Sequence, residues 1–517
     1  MFIQTNQNWS GRISRLAALV AGSLLVGQAA FAAGGDVVRT ESGLVHGGTT
    51  DGLRMFKGIP YATAQRWQEP RPVTPWSGVR DATQPGARCA QTEDRTSGTP
   101  ASTSEDCLYL NVTAAAGHNL PVLVYVHGGG LKNGAGSDLE PRRLAAREHA
   151  IVVTLNYRLG VFGFFGAPGL PGSGTFGLWD QQAAMTWVRH NIAAFGGGAH
   201  NVTLFGESGG GDSVCAQLVS PTARGLFDRV LIQSGTCSDA NPVDALFPGA
   251  GAVVASWQPV STVEESGVRV ATALGCPAAD PGCLRGIPVD RLLGDPAVAA
   301  VYWSPAYNTA LLPRRPAAAI EAGGFARVPV MIGTTRDEAT LLVTLTGQAK
   351  DNTAYRALLA RAFGDRADEV AAAYSAYALP ARAWAAIVGD RGYVCPNQGS
   401  ASVLARYTRT YAYEFADQDA PLIFHVDPSF PLGAYHASDV PYIWDSTAPL
   451  SPAQQGLSNQ LLDYVGRFAA TGDPNGWGTP YWANVRPNGS APVVQRLAPG
   501  EVGPARTADE HHCVVNE

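Results

Sequence analysis

The sequence has no C-x-x-C pair among its eight cysteines, which argues against zinc and thioredoxin-type chemistry. It has no cluster of basic residues. Lys and Arg total 37 against 43 Asp and Glu, a net charge of −6, so it presents no electrostatic footprint for nucleic acid or anionic lipid. It has no internal repeat, no low-complexity tract and no charge block. Past the N-terminus no run is apolar enough to cross a bilayer, so no stable membrane anchor is expected. What remains is an ordinary globular composition, 45% hydrophobic and 15% charged, with many Gly and Pro for loops. At 517 residues the chain can fill two or three average domains or one large α/β domain.

The N-terminus reads as a targeting segment. "SGRISR" supplies positive charge, "LAALVAGSLLVGQAA" is an apolar core, and Ala30-Phe31-Ala32 has the small-x-small form of a cleavage site. The alternative, an uncleaved anchor, is opposed by the short apolar run. Residues 1–32 are therefore expected to be a signal peptide, and 33–517 a single exported domain. Removing Arg12 and Arg15 with the leader makes the net charge −8. Export lets disulfides persist. Cys276 and Cys283 bracket a short Pro/Gly loop that a bridge could close, while spacing alone pairs none of the others.

Six short β-type runs follow: "VLVYVHGG" (122–129), "IVVTLNYR" (151–158), "NVTLFGES" (201–208), "RVLIQSG" (229–235), "VPVMIGT" (328–334) and "TYAYEFA" (410–416). Their near-continuous apolar character suits strands buried on both faces of a mostly parallel sheet. "GLWDQQAAMTWVRHNIAAFGG" (177–197) repeats Leu178, Ala184, Trp187, Val188 and Ile192 at helical spacing and ends in glycines. Alternating strands and helices predict a doubly wound α/β fold. The Ala/Pro-rich stretches at about 240–320 and 340–400 read as helical excursions that cap it.

"VTLFGESGGGDSV" (202–214) sets one hydroxyl between glycines where a strand gives way to a helix. Gly206-Glu207-Ser208-Gly209-Gly210 fits G-x-S-x-G, the strained turn that lifts a serine clear of a sheet. The free N–H groups and dipole of a helix N-terminus favour negative charge developing there. Alone the pattern is weak; the β run before it and the helical pattern after it strengthen it. Upstream, Val126-His127-Gly128-Gly129-Gly130 ends a strand with the H-G-G-G pattern, whose backbone N–H groups can approach a carbonyl oxygen unhindered. A serine nucleophile also needs a base and an acid. His425, His436, His511 and His512 all lie late in the chain. His436 sits in the apolar loop "FPLGAYHASDVPYIW", and His425 follows a strand-like segment and reads as structural. His511 and His512 flank Cys513, which suits a solvated or disulfide-anchoring role. Glu338 and its neighbour Asp337 are rival acids directly after a predicted strand.

These residues identify a resemblance. In order come "FKGIPYA" (56–62), "RWQEPRPVTPW" (66–76), "SEDCLYLNV" (104–112), "VYVHGGG" (124–130), "NYRLGVFGF" (156–164), "NVTLFGESGGG" (201–211), "GTTRDEA" (333–339), "GAYHASDVPY" (433–442) and "FAATGDPN" (468–475). The chain resembles the type-B carboxylesterases, which include cholinesterases and some fungal lipases, from about Val37 to Cys513. The resemblance implies an α/β-hydrolase fold: a large, mostly parallel twisted sheet flanked by helices, with helical caps. It implies Ser208 as nucleophile, Glu338 as acid and His436 as base, with Gly129, Gly130 and Gly209 as oxyanion donors. It places Glu207 and Ser234 behind them in support. It pairs Cys89 with Cys107, Cys276 with Cys283 and Cys395 with Cys513. Cys215 and Cys237 are left over, as a fourth bridge or as two buried thiols. There are departures: Gly209 stands where the family usually has Ala, which loosens the turn, and Asn308-Thr309 stands where Asp-Gly is common.

Ester hydrolysis through an acyl-enzyme is the expected reaction, on a small-molecule ester, with no metal or organic cofactor required. Two alternatives are weighed. An interfacial triacylglycerol lipase would use the 89–107 loop as a lid, although no amphipathic lid helix is evident there. A non-catalytic binding protein on the same fold would have lost the nucleophile. Lys132, just after the triple glycine, is a candidate contact for an anionic acyl or alcohol group. The ester itself and the oligomeric state are not legible.

Overall fold

The computed structural model describes residues 36–238, 256–277, 280–487 and 492–513. The expected signal peptide lies outside the described residues. All six predicted β runs are strands of one eleven-stranded sheet. In chain order its strands are β1 Gly48–Thr50, β2 Leu53–Pro60, β3 Tyr109–Ala114, β4 Leu120–Val126, β5 Ile151–Leu155, β6 Gly197–Glu207, β7 Arg229–Gln233, β8 Val330–Thr335, β9 Thr410–Phe415, β10 Val494–Ala498 and β11 Glu501–Ala505. Their spatial order is β11-β10-β9-β8-β7-β6-β4-β5-β3-β2-β1. From β10 through β5 every neighbouring pair is parallel. Antiparallel pairs close both edges. This is the mostly parallel α/β-hydrolase sheet.

The central strands are apolar throughout because both faces are covered. Successive side chains point to opposite faces. Val122, Val124 and Val126 of β4 enter one core with Val202, Leu204, Val230 and Ile232. Leu123 and Tyr125 enter the other with Phe205, Leu231, Met331 and Tyr413. The predicted helix at 177–197 is α1, Phe176–Asn191, finished by a 3-10 turn at Ile192–Phe195. Its five marked apolar residues are all buried. A third apolar cluster, around Trp384, Leu359 and Ile387, holds together the helices of the 340–390 excursion.

The turn that ends β6 is built on close backbone contact. Ser208 has φ 57° and ψ −128°, a conformation costly for any residue but glycine. Helix α2, Gly209–Val219, starts directly after it. A Cβ on Gly206 would lie 2.5 Å from the Gly210 carbonyl, and one on Gly210 would lie 2.0 Å from Val126 O. The glycines let β4, β6 and α2 meet at one point. The Ser208 N–H donates to Gln233 O at 2.9 Å, tying the bend to β7. Gly209 does not leave the turn loose. A Cβ there would lie 2.9 Å from Leu131 N, so the triple-glycine loop fills the space of the missing methyl. Asn308 takes a left-handed φ of 64°, which asparagine tolerates better than most residues.

Four disulfides join Cys89 to Cys107, Cys215 to Cys237, Cys276 to Cys283 and Cys395 to Cys513. Among the described residues no helix is long and apolar enough to cross a membrane.

Candidate active site

Residues at the ends of β4, β6 and β8 converge with the 433–439 loop on a cavity of about 750 Å³. Both ring nitrogens of His436 are engaged. Nε2 lies 2.8 Å from Ser208 Oγ and Nδ1 lies 2.6 Å from Glu338 Oε2. The other oxygen of Glu338 accepts the Thr335 N–H at 2.8 Å, and its side chain is fully buried.

The adjacent Asp337 points elsewhere. It pairs with Arg382 at 2.7 Å and accepts from Gln418 Nε2 and the Ala434 N–H. Its own N–H donates to Ala434 O at 2.8 Å. Asp337 therefore pins the loop that carries His436, and Glu338 reaches the ring. The loop turns sharply at Ala437, whose φ is 69°. The Tyr393 ring packs 5.4 Å from that of His436.

The N–H groups of Gly129, Gly130 and Gly209 make no hydrogen bond among the described residues, and all three residues line the cavity beside Ser208. Such amides are free to receive an oxygen that becomes anionic.

Glu207 Oε1 lies 3.4 Å from His436 Nε2 and has no hydrogen-bond partner. Burial raises the Glu207 carboxyl to about 8; His436 opposes the rise, and Asp439 and Glu338 add to it. Burial pulls the His436 imidazolium down, but Glu338 and then Glu207 more than reverse this, so it titrates above the ordinary histidine range. Ser234 is buried against the cavity in a left-handed turn with its hydroxyl unpartnered.

Two further carboxylates escaped the sequence reading. Asp212 accepts the Thr236 N–H at 2.8 Å, and Asp439 accepts from Gln233 Nε2 at 3.1 Å. Burial raises both to about 6. Their signal was available: Asp439 follows His436 by three residues, and Asp212 closes the "GESGGGD" run.

The other three late histidines lie elsewhere, while His127 lines the cavity from the end of β4. His425 is exposed over Gly98. His511 is not solvated; it is buried between Asp390 and Glu414, 2.5 Å from each. The His512 ring packs edge-on against Tyr374. Lys132 is exposed and does not line the cavity, and among the described residues no Lys or Arg does. The cavity lining includes the apolar Leu341, Leu342, Leu345, Ile423 and Phe424 and the polar Asp94, Ser97 and Asn133.

A sequence profile of the carboxylesterase family matches residues 35–499. The chain belongs to the carboxylesterase family. This carboxylesterase is 33% identical over 477 residues to the pyrethroid hydrolase Ces2e of Rattus norvegicus, covering 84% of this chain and 80% of that protein. It is 33% identical over 460 residues to the para-nitrobenzyl esterase of Bacillus subtilis (strain 168), covering 85% and 90%. Among solved structures it is similar to a thermophylic pNB esterase, with a TM-score of 0.78 at 29% identity, covering 93% of this chain and 100% of that one. It is a carboxylic ester hydrolase of the α/β-hydrolase fold.

Proposed function

We propose that the chain is an exported serine esterase acting through an acyl-enzyme, with Ser208 as nucleophile. The observation that carries this reading is the double engagement of His436, by Ser208 Oγ at 2.8 Å and Glu338 Oε2 at 2.6 Å. Ser208 Oγ attacks the ester carbonyl carbon as its proton passes to His436 Nε2. Glu338 holds the ring in the tautomer with Nδ1 protonated and stabilises the imidazolium that forms. The amides of Gly129, Gly130 and Gly209 receive the charge on the former carbonyl oxygen, aided by the N-terminus of α2. Collapse returns the proton from His436 to the departing alcohol. A water molecule, deprotonated by His436, then attacks the acyl carbon and frees the acid and Ser208.

Glu207, 3.4 Å from His436 Nε2, supports the imidazolium by its charge, and Ser234 lies beside the same cavity with its hydroxyl unpartnered. Residues 89–107 contain turns and isolated bridges but no helix, and the substrates proposed are water-soluble esters rather than a lipid interface. With carboxylates and no Lys or Arg on its walls, the cavity suits neutral or cationic esters over anionic ones. Export is supported by the four disulfides and by the leader-like composition of residues 1–32.

Ser208→Ala is expected to stay folded and to lose p-nitrophenyl acetate hydrolysis. Retention of most of the parent rate in the purified variant overturns the assignment.

A further inference from the structure

The triple-glycine loop is held by a side chain from another part of the chain. Gln91 stands two residues after Cys89, inside the loop that the Cys89–Cys107 disulfide closes, and it is 1% exposed. Its backbone is fixed by a reciprocal pair with Ser102, N–H to O at 2.9 Å in each direction. Its carboxamide then makes three hydrogen bonds. Oε1 accepts the Gly134 N–H at 2.9 Å, and Nε2 donates to Gly134 O and to Cys89 O, each at 2.9 Å. Both backbone groups of Gly134 are thus taken by one side chain.

Gly134 is coupled to the amides beside Ser208. The N–H groups of Lys132 and Asn133 both donate to Gly129 O, at 3.0 and 3.1 Å. A Cβ on Gly129 would lie 2.2 Å from Asn133 O, and one on Gly134 would lie 2.5 Å from His127 Nδ1. The Asn133 side chain is itself tied to Asp94 of the disulfide loop at 3.1 Å. Gly129 and Gly130 have φ of 91° and 60°, and a Cβ on Gly130 would meet nothing within 4 Å. A glycine as open as Gly130 chooses among many conformations unless something outside fixes it, and its fixed neighbour is Gly129, held by the 132–134 turn.

We propose that Gln91 is a positioning residue for the Gly129 and Gly130 amides, so that the disulfide loop sets the oxyanion geometry. The proposal rests on the esterase reading above. Losing an aligned donor of this kind costs roughly a hundredfold or more in rate, and misaligning one is expected to cost about tenfold or more.

The test uses Gln91→Met, which keeps length and removes the hydrogen bonds, and Gln91→Glu, with active sites counted by complete fluorophosphonate labelling. In Gln91→Met, kcat/KM for p-nitrophenyl acetate per active site is expected to fall at least about tenfold. The affinity for a trifluoromethyl ketone is expected to fall in proportion. That carbonyl takes the Ser208 oxygen, its own oxygen becomes anionic, and the serine proton passes to His436. The acid limb of the pH profile, which reports His436, stays where it is. A kcat/KM or ketone affinity within twofold of the parent overturns the proposal.

In Gln91→Glu a protonated carboxyl can still accept from Gly134 N–H and donate to Gly134 O. Its kcat/KM relative to the parent is expected to rise as pH falls. A ratio independent of pH overturns the proposal even if Gln91→Met does not fold. Hydrolysis that survives Ser208→Ala sinks the esterase reading instead; its loss there, with both Gln91 variants unaffected, sinks this inference alone.

Discussion

At the scale of single residues, four buried carboxyl groups surround one imidazole, and each has a different partner. Glu338 takes Nδ1 of His436, Asp439 takes Gln233, Asp212 takes the Thr236 amide, and Glu207 faces Nε2 at 3.4 Å with one oxygen unpartnered. In the proposed mechanism the base must be neutral to accept the Ser208 proton, so kcat/KM is expected to fall as pH drops through the His436 pKa. That pKa is raised, which places the acid limb above the ordinary histidine value of about 6.5. Glu207→Gln removes a negative neighbour, makes the imidazolium less favourable and is expected to move the limb to lower pH. The check is the pH profile of kcat/KM with an ester whose own ionisation is outside the range. An unmoved limb means that Glu207 carries a proton throughout and does not act on His436 by charge.

At the scale of elements, the strand-to-helix bend is a packing solution as much as a chemical one. Gly206 and Gly210 are required because β4 and α2 approach to backbone contact; the bend then exposes the serine. Gly210→Ala puts a methyl 2.0 Å from Val126 O, at a site where both partners are main chain and neither can rotate away. Its cost is expected to reach about 3 kcal/mol or more. A fall in thermal midpoint of several degrees, or loss of soluble protein, is the predicted readout; an unchanged midpoint contradicts the packing argument.

The elements were legible because continuous apolar runs bounded by glycine have few other uses, and the strands fall within a few residues of the quoted runs. The choice between Asp337 and Glu338 was not legible from local chemistry. Both are carboxylates after the same strand, and only the fold shows that one meets Arg382 and the 433–434 backbone while the other meets His436. Gln91 was invisible for a similar reason. Its Gly134 partners lie 43 residues away, and no local pattern marks a glutamine that pairs with a distant backbone.

At the scale of the molecule, the C-terminal segment is stapled twice, by a disulfide to the helix Cys395–Leu404 and by His511 to Asp390 and to Glu414 of β9. The Cys395–Cys513 disulfide closes a loop of 118 residues, worth about 5 kcal/mol in the chain-entropy account. Two residues earlier, His511 lies 2.5 Å from Asp390 at one nitrogen and from Glu414 at the other, and only a doubly protonated ring donates at both. Burial disfavours that cation, and the two carboxylates more than compensate, lifting it to about 10. A raised pKa stabilises the fold fully below the unfolded value of about 6.5, and the contribution fades as pH rises through 10. Urea unfolding of parent and His511→Gln is therefore expected to differ most near pH 6 and least near pH 10. A gap that does not change with pH contradicts the ion-pair account.

The claim on which the mechanism stands is that Ser208 alone is activated by His436. Its most direct test is a fluorophosphonate probe followed by peptide mapping. The account predicts one phosphonate per chain, on the peptide carrying Ser208, with none in Ser208→Ala and slow labelling in His436→Ala. Labelling at another residue, or at an equal rate without His436, would contradict it.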